Sequence, residues 1–262
     1  MAIKKREADT GTWFLESNDF CQWVNSPGLL WLYGIRKHLN MRHTVEILTV
    51  LTCSIAGCGK TVLCSTIIEA TKEICSVHID RKLAYFYFDF QRSHEQSIES
   101  LLERLLRQLV CDEVVIPPAV WKMYATNKQA GHRPGTRDLE NTLLDTVISI
   151  GKDFYIILDA LDEIPVIGSM NKRAEILGFL ERLARSAIPN THILVTSRDE
   201  LDIRTSISPL SAGGISIQGP TLDLDIQRYI KSCILEDHRM RTLKDSVKDM
   251  IQTKLMEKAC GM

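Results

Sequence analysis

The fold is decided by the stretch Asp153-Phe154-Tyr155-Ile156-Ile157-Leu158-Asp159-Ala160-Leu161-Asp162-Glu163. Its first half is a short, almost continuous apolar run, which is typical of a strand buried on both faces of a parallel sheet. Asp159 closes the run, and Asp162 and Glu163 follow directly. Because ligands of open α/β sheets bind at the carboxyl ends of the strands, these acids indicate a site there. The alternative is a helix N-terminus that carries acids because they suit its dipole.

A glycine-rich stretch, Ile55-Ala56-Gly57-Cys58-Gly59-Lys60-Thr61, lies upstream and runs into a helical pattern. Glycines let the backbone N–H groups of a loop face one phosphate, and the helix N-terminus adds a favourable dipole. In this pattern the lysine reaches the β- and γ-phosphates and the threonine hydroxyl binds Mg²⁺. The alternative is a glycine loop that only caps a helix. The predicted nucleotide-binding positions are Gly57, Cys58, Gly59, Lys60, Thr61 and Val62, and the predicted Mg²⁺ ligands are Thr61 and Asp159.

A third polar group, Thr196-Ser197-Arg198, follows a predicted strand over residues 192–195. A polar residue or an arginine at such a strand end can sense or stabilise the γ-phosphate, and the alternative is a surface arginine where the strand leaves the sheet. Asp162 or Glu163 could accept a proton from an attacking water or orient it. The catalytic candidates are therefore Asp162, Glu163 and Arg198.

The rest of the chain alternates between short apolar runs and helical periodicity. Strands are predicted over residues 29–33, 83–90, 153–159, 191–196 and 214–218, and helices over residues 61–73, 97–110, 138–149, 171–187 and from 222 onward. Alternation of this kind predicts a three-layer α/β fold with a mostly parallel sheet and a C-terminal helical segment. The glycine loop and the acids after the strand 153–159 make it a fold of the P-loop NTPase type.

Three regions are predicted along the chain. Residues 1–28 form a helical lead-in, whose aromatic residues Trp13, Phe14, Phe20 and Trp23 suit one helix face that docks onto the main domain. Residues 29–220 form the P-loop domain. Residues 221–262 form a helical segment, which we interpret as the start of a truncated extension.

Composition excludes several classes of function. The 262 residues are 45% hydrophobic and 25% charged, as in ordinary globular proteins, and the net charge of −1 gives no reason to expect a nucleic-acid partner. The longest apolar-looking run, residues 45–53, is shorter than the ~20 residues of a transmembrane helix, and the charged first residues, with no apolar region after them, are not expected to be a signal peptide. Eight scattered cysteines without a CxxC pair argue against zinc and for a reducing compartment. We expect a cytoplasmic protein that does not bind membranes.

These motifs, in this order, resemble the NACHT-type branch of the signal-transducing (STAND) P-loop NTPases. The sequence is still more similar to the fungal group with a nephrocystin-3-like N-terminal domain. The matching stretches are Gly11-Thr12-Trp13-Phe14-Leu15-Glu16, Leu30-Trp31-Leu32-Tyr33-Gly34, Ala84-Tyr85-Phe86-Tyr87-Phe88-Asp89-Phe90 and Ile193-Leu194-Val195-Thr196-Ser197-Arg198.

The resemblance covers roughly residues 10 to 262. It implies binding of ATP or GTP with Mg²⁺, coupled to a conformational switch in signal transduction, with slow hydrolysis at most. It also implies protein partners or self-association in longer family members, which usually carry an effector domain upstream and a repeat array, often ankyrin, downstream.

The glycine loop departs from the family pattern, because Ser54 stands where the first glycine is expected. In family members, a strand like the one at residues 30–34 is followed directly by the glycine loop. Removing residues 35–54 would give Gly34-Ile55-Ala56-Gly57-Cys58-Gly59-Lys60-Thr61, a complete Gly-x-x-x-x-Gly-Lys-Thr. We therefore hypothesise a 20-residue insertion at 35–54, such as a retained intron, which transcript sequencing would test. The alternative is that residues 45–53 form the strand before the loop and Ser54 is tolerated.

Two other functions stay open at this stage. A loop broken by residues 35–54 or by Ser54 would leave a non-hydrolysing or nucleotide-free interaction module. A kinase of small metabolites is less favoured, because the paired acids at residues 162–163 suit water better than an organic hydroxyl as acceptor.

Overall fold

Five strands form one sheet in which every neighbouring pair is parallel. The computed structural model describes residues 10–34, 58–90, 96–166, 171–186, 188, 190–217, 220–236, 240 and 243–259. The strands are β1 (Gly28–Gly34), β2 (Arg81–Tyr87), β3 (Asp153–Asp159), β4 (Thr191–Arg198) and β5 (Ser211–Ser216). Their order is β2-β3-β4-β1-β5. The α/β fold with a mostly parallel sheet is confirmed.

Ten helices are described along the same residues. They are α1 (Thr12–Leu15), α2 (Asn18–Asn25), α3 (Cys58–Val77), α4 (Ile98–Val110), α5 (Pro118–Ala130), α6 (Thr136–Ile150), α7 (Lys172–Arg185), α8 (Leu201–Ile207), α9 (Pro220–Glu236) and α10 (Asp245–Ala259). Two 3₁₀ turns, Leu161–Glu163 and Ser208–Leu210, follow β3 and α8.

Helices cover both faces of the sheet and so make three layers. Successive residues of a strand point to opposite faces. In β3, Ile156 and Leu158 pack into the cluster that contains α4, α6 and α7, while Tyr155 and Ile157 pack into the cluster that contains α3. The apolar stripe predicted for α4 is buried throughout, at Ile98, Leu101, Leu102, Leu105, Leu106 and Leu109.

Strand β1 lies in the interior of the sheet, between β4 and β5. Leu30 is in register with Leu194 of β4, and Tyr33 is in register with Ser216 of β5. The alternative strand proposed at residues 45–53, like the rest of the suggested insertion 35–54, lies outside the described residues. The strand placed beside β4 is therefore the one predicted at 29–33.

The N-terminal helices pack against the α3 side of the domain. Phe14, Phe20 and Trp23 are buried in the same cluster as α3. The Trp23 indole N–H donates to the Ile193 carbonyl at 3.0 Å. Two helices form instead of one because Ser17 starts a new helix, its hydroxyl accepting from the backbone N–H of Phe20 at 3.2 Å.

The structure differs from the sequence-based expectation at several elements. Helix α5 was not predicted, since it contains no buried residue and so shows no apolar stripe. Its Pro118 occupies the first helical turn, where a proline is tolerated. The short helix α8 was also missed. Strand β4 continues two residues beyond its predicted end, to Arg198, and β5 lies at Ser211–Ser216 rather than 214–218.

The C-terminal helices α9 and α10 enclose a small apolar cluster of their own, formed by Ile230, Ile234, Met240 and Leu255. The helical character predicted for this region is confirmed. Asp225 of α9 joins it to the N-terminal segment, because its carboxylate accepts from the Gly11 N–H at 2.7 Å and from the Trp13 indole at 3.1 Å. Within the ranges given above, no helix combines the length and apolar character that crossing a bilayer requires.

Candidate functional site

Three neighbouring strands end at one edge of the sheet. β3 ends at Asp159, β4 ends at Arg198 and β1 ends at Gly34, which is in register with Arg198. The first turn of α3 supplies Lys60 and Thr61 to the same edge. Carboxyl ends of parallel strands facing a helix N-terminus form the position where α/β proteins bind anionic ligands.

Lys60 is surrounded by the charged residues that the sequence singled out. Its ammonium is half-buried, and burial lowers its pKa below the ordinary value. The charge of Asp162 opposes this shift, Arg198 adds to it, and Asp159 and Glu163 oppose it more weakly. The structure therefore brings together five predicted residues that come from three separate parts of the chain.

Gly34 approaches the same lysine closely. A Cβ atom added to Gly34 would lie 3.4 Å from Cδ and 3.5 Å from Nζ of Lys60. A Cβ at position 34 would thus be in van der Waals contact with the lysine that is expected to meet the phosphates, and a larger side chain would extend into the same space. Gly57 lies outside the described residues, and so does the side chain of Cys58. Val62 is half-buried in the first turn of α3, where its carbonyl accepts from Thr66 at 3.2 Å.

Asp159 is almost completely buried, with 1% of its surface exposed. The Thr196 hydroxyl donates to its Oδ1 at 2.5 Å, and Thr61 and Cys64 also hydrogen-bond its carboxylate. Burial raises the pKa of Asp159, while these hydrogen bonds and the charge of Lys60 favour the ionised form. The carboxylate and the Thr61 hydroxyl are oxygen donors of the kind that Mg²⁺ binds.

The donor set fits Mg²⁺ better than a metal held by protein alone. Among the described residues, no group of three or more His, Cys, Asp or Glu side chains could hold a metal. Mg²⁺ does not require a group of protein ligands of this size. It usually keeps several waters and is coordinated by one or two protein ligands together with the phosphates of a nucleotide. Thr61 and Asp159 suit that arrangement.

The chain turns sharply after β3. Ala160 adopts a left-handed conformation, with φ 60° and ψ 50°, which is unusual for a residue other than glycine. Its N–H donates to the Thr196 hydroxyl at 2.9 Å. The 3₁₀ turn Leu161–Glu163 follows, and it returns Asp162 and Glu163 toward the edge of the sheet. A larger or β-branched residue would fit this buried left-handed position poorly.

The two acids of this turn have different partners. The Asp162 carboxylate is 4% exposed and binds Arg198 twice, accepting from its backbone N–H at 2.8 Å and contacting Nε at 3.1 Å. Glu163 is half-buried and accepts from the Phe90 N–H at 3.1 Å. Burial raises the pKa of Glu163, the Phe90 N–H lowers it, and the neighbouring acids raise it further. Glu163 is thus better suited than Asp162 to accept a proton.

Sequence reasoning named Thr196 only as part of the polar group 196–198, without its role in holding the acid after β3, and it missed Arg173. Thr196 holds both Asp159 and Ala160, and the signal for it was present as a hydroxyl at the end of a buried strand beside Arg198. Arg173 of α7 is 3% exposed and reaches the same acidic turn. No signal marked Arg173, because an arginine in a helical pattern is normally read as part of the solvated face.

Replacing Thr196 with valine is expected to lower the free energy of unfolding by about 2–4 kcal/mol. The substitution keeps the shape but removes the only hydroxyl shared by Asp159 and Ala160 within the described site, and each buried polar group that loses its partner costs about 1–3 kcal/mol. Urea denaturation followed by circular dichroism measures the change. Thr196→Ser keeps the hydroxyl and should cost about 1 kcal/mol. Equal losses in the two variants would contradict this role.

Fold and site define the class of protein. A fully parallel α/β sheet, with Gly-Lys-Thr in the first turn of a helix and an acid at the end of an interior strand, is a P-loop NTPase-like arrangement. Residues 42–198, more than half of the 262-residue chain, match the family described as nephrocystin 3, N-terminal. The chain belongs to this family. No curated protein sequence shows significant similarity to it.

Solved structures show distant similarity. The ORC1 protein of Aeropyrum pernix, in complex with DNA, is 13% identical with a TM-score of 0.48, over 85% of this chain and 47% of that one. The ADP form of ORC2 from the same organism is 15% identical with a TM-score of 0.44, over 87% and 51%. The Walker-type ATPase of Pyrococcus abyssi is 16% identical with a TM-score of 0.47, over 98% and 68%. This chain spans about half the length of the two Aeropyrum proteins.

Proposed function

We propose that this chain binds ATP or GTP with Mg²⁺ and acts as a conformational switch of the NACHT-type (STAND) branch of P-loop NTPases. The observation that carries the proposal is the convergence on Lys60 of Asp159, Asp162, Glu163 and Arg198 at the carboxyl edge of the sheet. A single lysine among three acids and one arginine, next to a helix N-terminus, is suited to a phosphate chain and its metal ion.

Each residue has a distinct role in this proposal. Lys60 contacts the β- and γ-phosphates, the N–H groups of the first turn of α3 face the phosphate chain, and Thr61 with Asp159 holds Mg²⁺. Arg198 contacts the γ-phosphate. Since Arg198 is already paired with Asp162, a γ-phosphate would compete with that carboxylate for its guanidinium. Arg198 would then bind the γ-phosphate when a triphosphate is present and Asp162 when a diphosphate is present. Its position at the end of β4 would differ between the two states.

Hydrolysis is slow in this proposal. Glu163 orients the attacking water, and burial raises its pKa and so makes it a better proton acceptor than a fully exposed glutamate. Asp162 is occupied by Arg198 and acts mainly through it. The chain would therefore be at most a weak nucleoside triphosphatase.

The wider setting is also proposed from the resemblance. Relatives of the fungal group act through protein partners or self-association, with effector and ankyrin-type repeat domains in longer chains. A reducing, cytoplasmic setting is supported by Cys21, Cys64, Cys75 and Cys111, which are free thiols in the described part of the chain.

A second candidate is an interaction module that does not bind or hydrolyse nucleotide. The observation in its favour is the position of Gly34, which lies against Lys60 in space but is separated from Ile55 by residues 35–54 in the sequence. In that case the site would keep the architecture of the family without a continuous phosphate loop.

Titration with mant-ATP and Mg²⁺ distinguishes the two candidates. The switch predicts saturable binding that Lys60→Ala weakens at least about tenfold, because a hydrogen bond to a charged group contributes about 1.5–3 kcal/mol and tenfold corresponds to 1.4 kcal/mol. The variant should fold normally, since burial disfavours the Lys60 charge. Lys72→Ala, farther along the same helix where Lys72 pairs with Glu69 and lies over the Tyr85 ring, should bind like the wild type. Absence of saturable binding in the wild type would favour the interaction module.

A further inference from the structure

We infer that Arg173 is a positioning residue, which couples the loop after β4 to the acidic turn after β3. The inference rests on the proposed function, because that turn carries the acid expected to orient water. Arg173 itself lies behind the site and would act through Asp162 and Glu163.

The arginine bridges two loops from a buried position. Its side chain is 4% exposed and leaves the first turn of α7. On one side, Nε donates to the Ile164 carbonyl at 2.9 Å and a terminal nitrogen donates to the Asp162 carbonyl at 2.8 Å. On the other side, the second terminal nitrogen contacts Glu200 at 2.6 Å and Asp202 at 3.2 Å. The guanidinium therefore joins the segment after β3 to the segment after β4.

Together with the Asp162–Arg198 pair, these contacts form a continuous ring of interactions. The Asp162 backbone is held by Arg173, and its carboxylate holds the backbone N–H and Nε of Arg198. Two residues after Arg198, the Glu200 carboxylate returns to Arg173. A change in the position of Arg198 is thus opposed directly by Asp162 and indirectly by the pair of Glu200 with Arg173. Coupling between sites can be carried by a contiguous set of groups of this kind.

Only a guanidinium can make this set of contacts. Its planar fork donates to carbonyl and carboxylate oxygens in several directions at once, whereas the ammonium of a lysine is a point charge with three donors. A buried cation is costly unless it is paired, and an apolar side chain would fill the space without joining the loops. The arginine at this buried position indicates that the link between the loops matters, beyond the packing of α7.

The bridge is best weakened from the segment after β4, because removing a buried arginine can unfold the domain. Glu200→Gln removes the charge from the shorter of the two ion pairs on that side without leaving a cavity, while Asp202 stays in contact with Arg173. Glu140→Gln is the matched control, since it removes the charge from another ion pair made by α7, the one between Glu140 and Arg182.

Hydrogen exchange in the nucleotide-free protein tests the coupling directly. The amides of Ala160, Glu163 and Ile164 are all hydrogen-bonded in the turn. Glu200→Gln should raise their exchange rates at least about threefold, although it lies on the other loop, and Glu140→Gln should leave them unchanged. If exchange rises only within residues 198–204, the inference is overturned.

Nucleotide kinetics then separate positioning from a purely structural role. Glu200→Gln should lower the rate of phosphate release about tenfold while the affinity for mant-ATP stays within about twofold of the wild type. Arg173→Lys should likewise lower the rate but not the affinity, since lysine keeps the positive charge but lacks the planar guanidinium with its several donors. Equal loss of rate and affinity in both variants would overturn the inference. If the wild type binds no nucleotide, the proposed function fails, and the exchange measurement still decides the coupling.

Discussion

Deleting residues 35–54 is expected to tighten the binding of Mg²⁺-ATP by about tenfold to a hundredfold. The deletion joins Gly34, the last residue of β1, to Ile55, and gives an uninterrupted Gly-x-x-x-x-Gly-Lys-Thr. β1 lies in the interior of the described sheet, and Gly34 lies against Lys60, as the first glycine of such a loop should. One or two additional hydrogen bonds to charged phosphate oxygens, at about 1.5–3 kcal/mol each, suffice for that gain.

Titration with mant-ATP measures the effect in the full chain and in the deletion variant. Combining the deletion with Gly34→Val is the matched control. Because a Cβ at position 34 already reaches within 3.4 Å of Lys60, the larger side chain should cancel the gain. A deletion variant that folds but binds no more tightly would favour residues 45–53 as the strand before the loop. A variant that does not fold would also contradict the insertion.

Replacing Glu163 with glutamine is expected to slow phosphate release at least about a hundredfold while nucleotide affinity is kept or improved. Glutamine cannot take a proton from water, and loss of a general base typically costs about 10²–10⁴ in rate. The amide still accepts the hydrogen bond from Phe90, so the turn should keep its shape. Removing one negative charge near the phosphates should not weaken binding. Single-turnover release of labelled phosphate, beside the mant-ATP titration, gives both quantities.

Asp162→Asn serves as the comparison for this prediction. Asp162 is bound to Arg198, so its replacement should disturb affinity as well as rate. If Glu163→Gln turns over like the wild type while Asp162→Asn does not, the roles of the two acids are reversed.

Much of the fold could be predicted because its pattern is local. The apolar run of residues 153–159 reads as a buried strand and coincides with β3. The leucine spacing of α4 shows one helix face, which is buried throughout. The acids that follow β3 and the arginine that ends β4 were found because polar residues directly after buried strands are hard to explain otherwise.

The remaining features depend on contacts between distant parts of the chain. Thr196 and Arg173 are ordinary residues in sequence, and their roles become visible only when β3, β4 and α7 are brought together. Helix α5 has no fully buried side chain, and only Val120 and Met123 pack partly against the core, so periodicity marked it weakly. The hypothesis that residues 35–54 are an insertion stays a prediction, as do the roles assigned to the site residues.

The buried carboxylate of Asp159 has a thermodynamic consequence for the ligand-free chain. Because its pKa is raised by burial, its contribution to stability is fully present below the unfolded value of about 3.8 and is lost as pH rises through the folded value. Ionisation of this carboxylate in the folded, ligand-free chain therefore works against folding. A divalent cation beside it would remove this cost, and a ligand that binds only the folded state adds its own stabilisation by mass action. The concentrations of Mg²⁺ and nucleotide would then determine how much of this chain is folded.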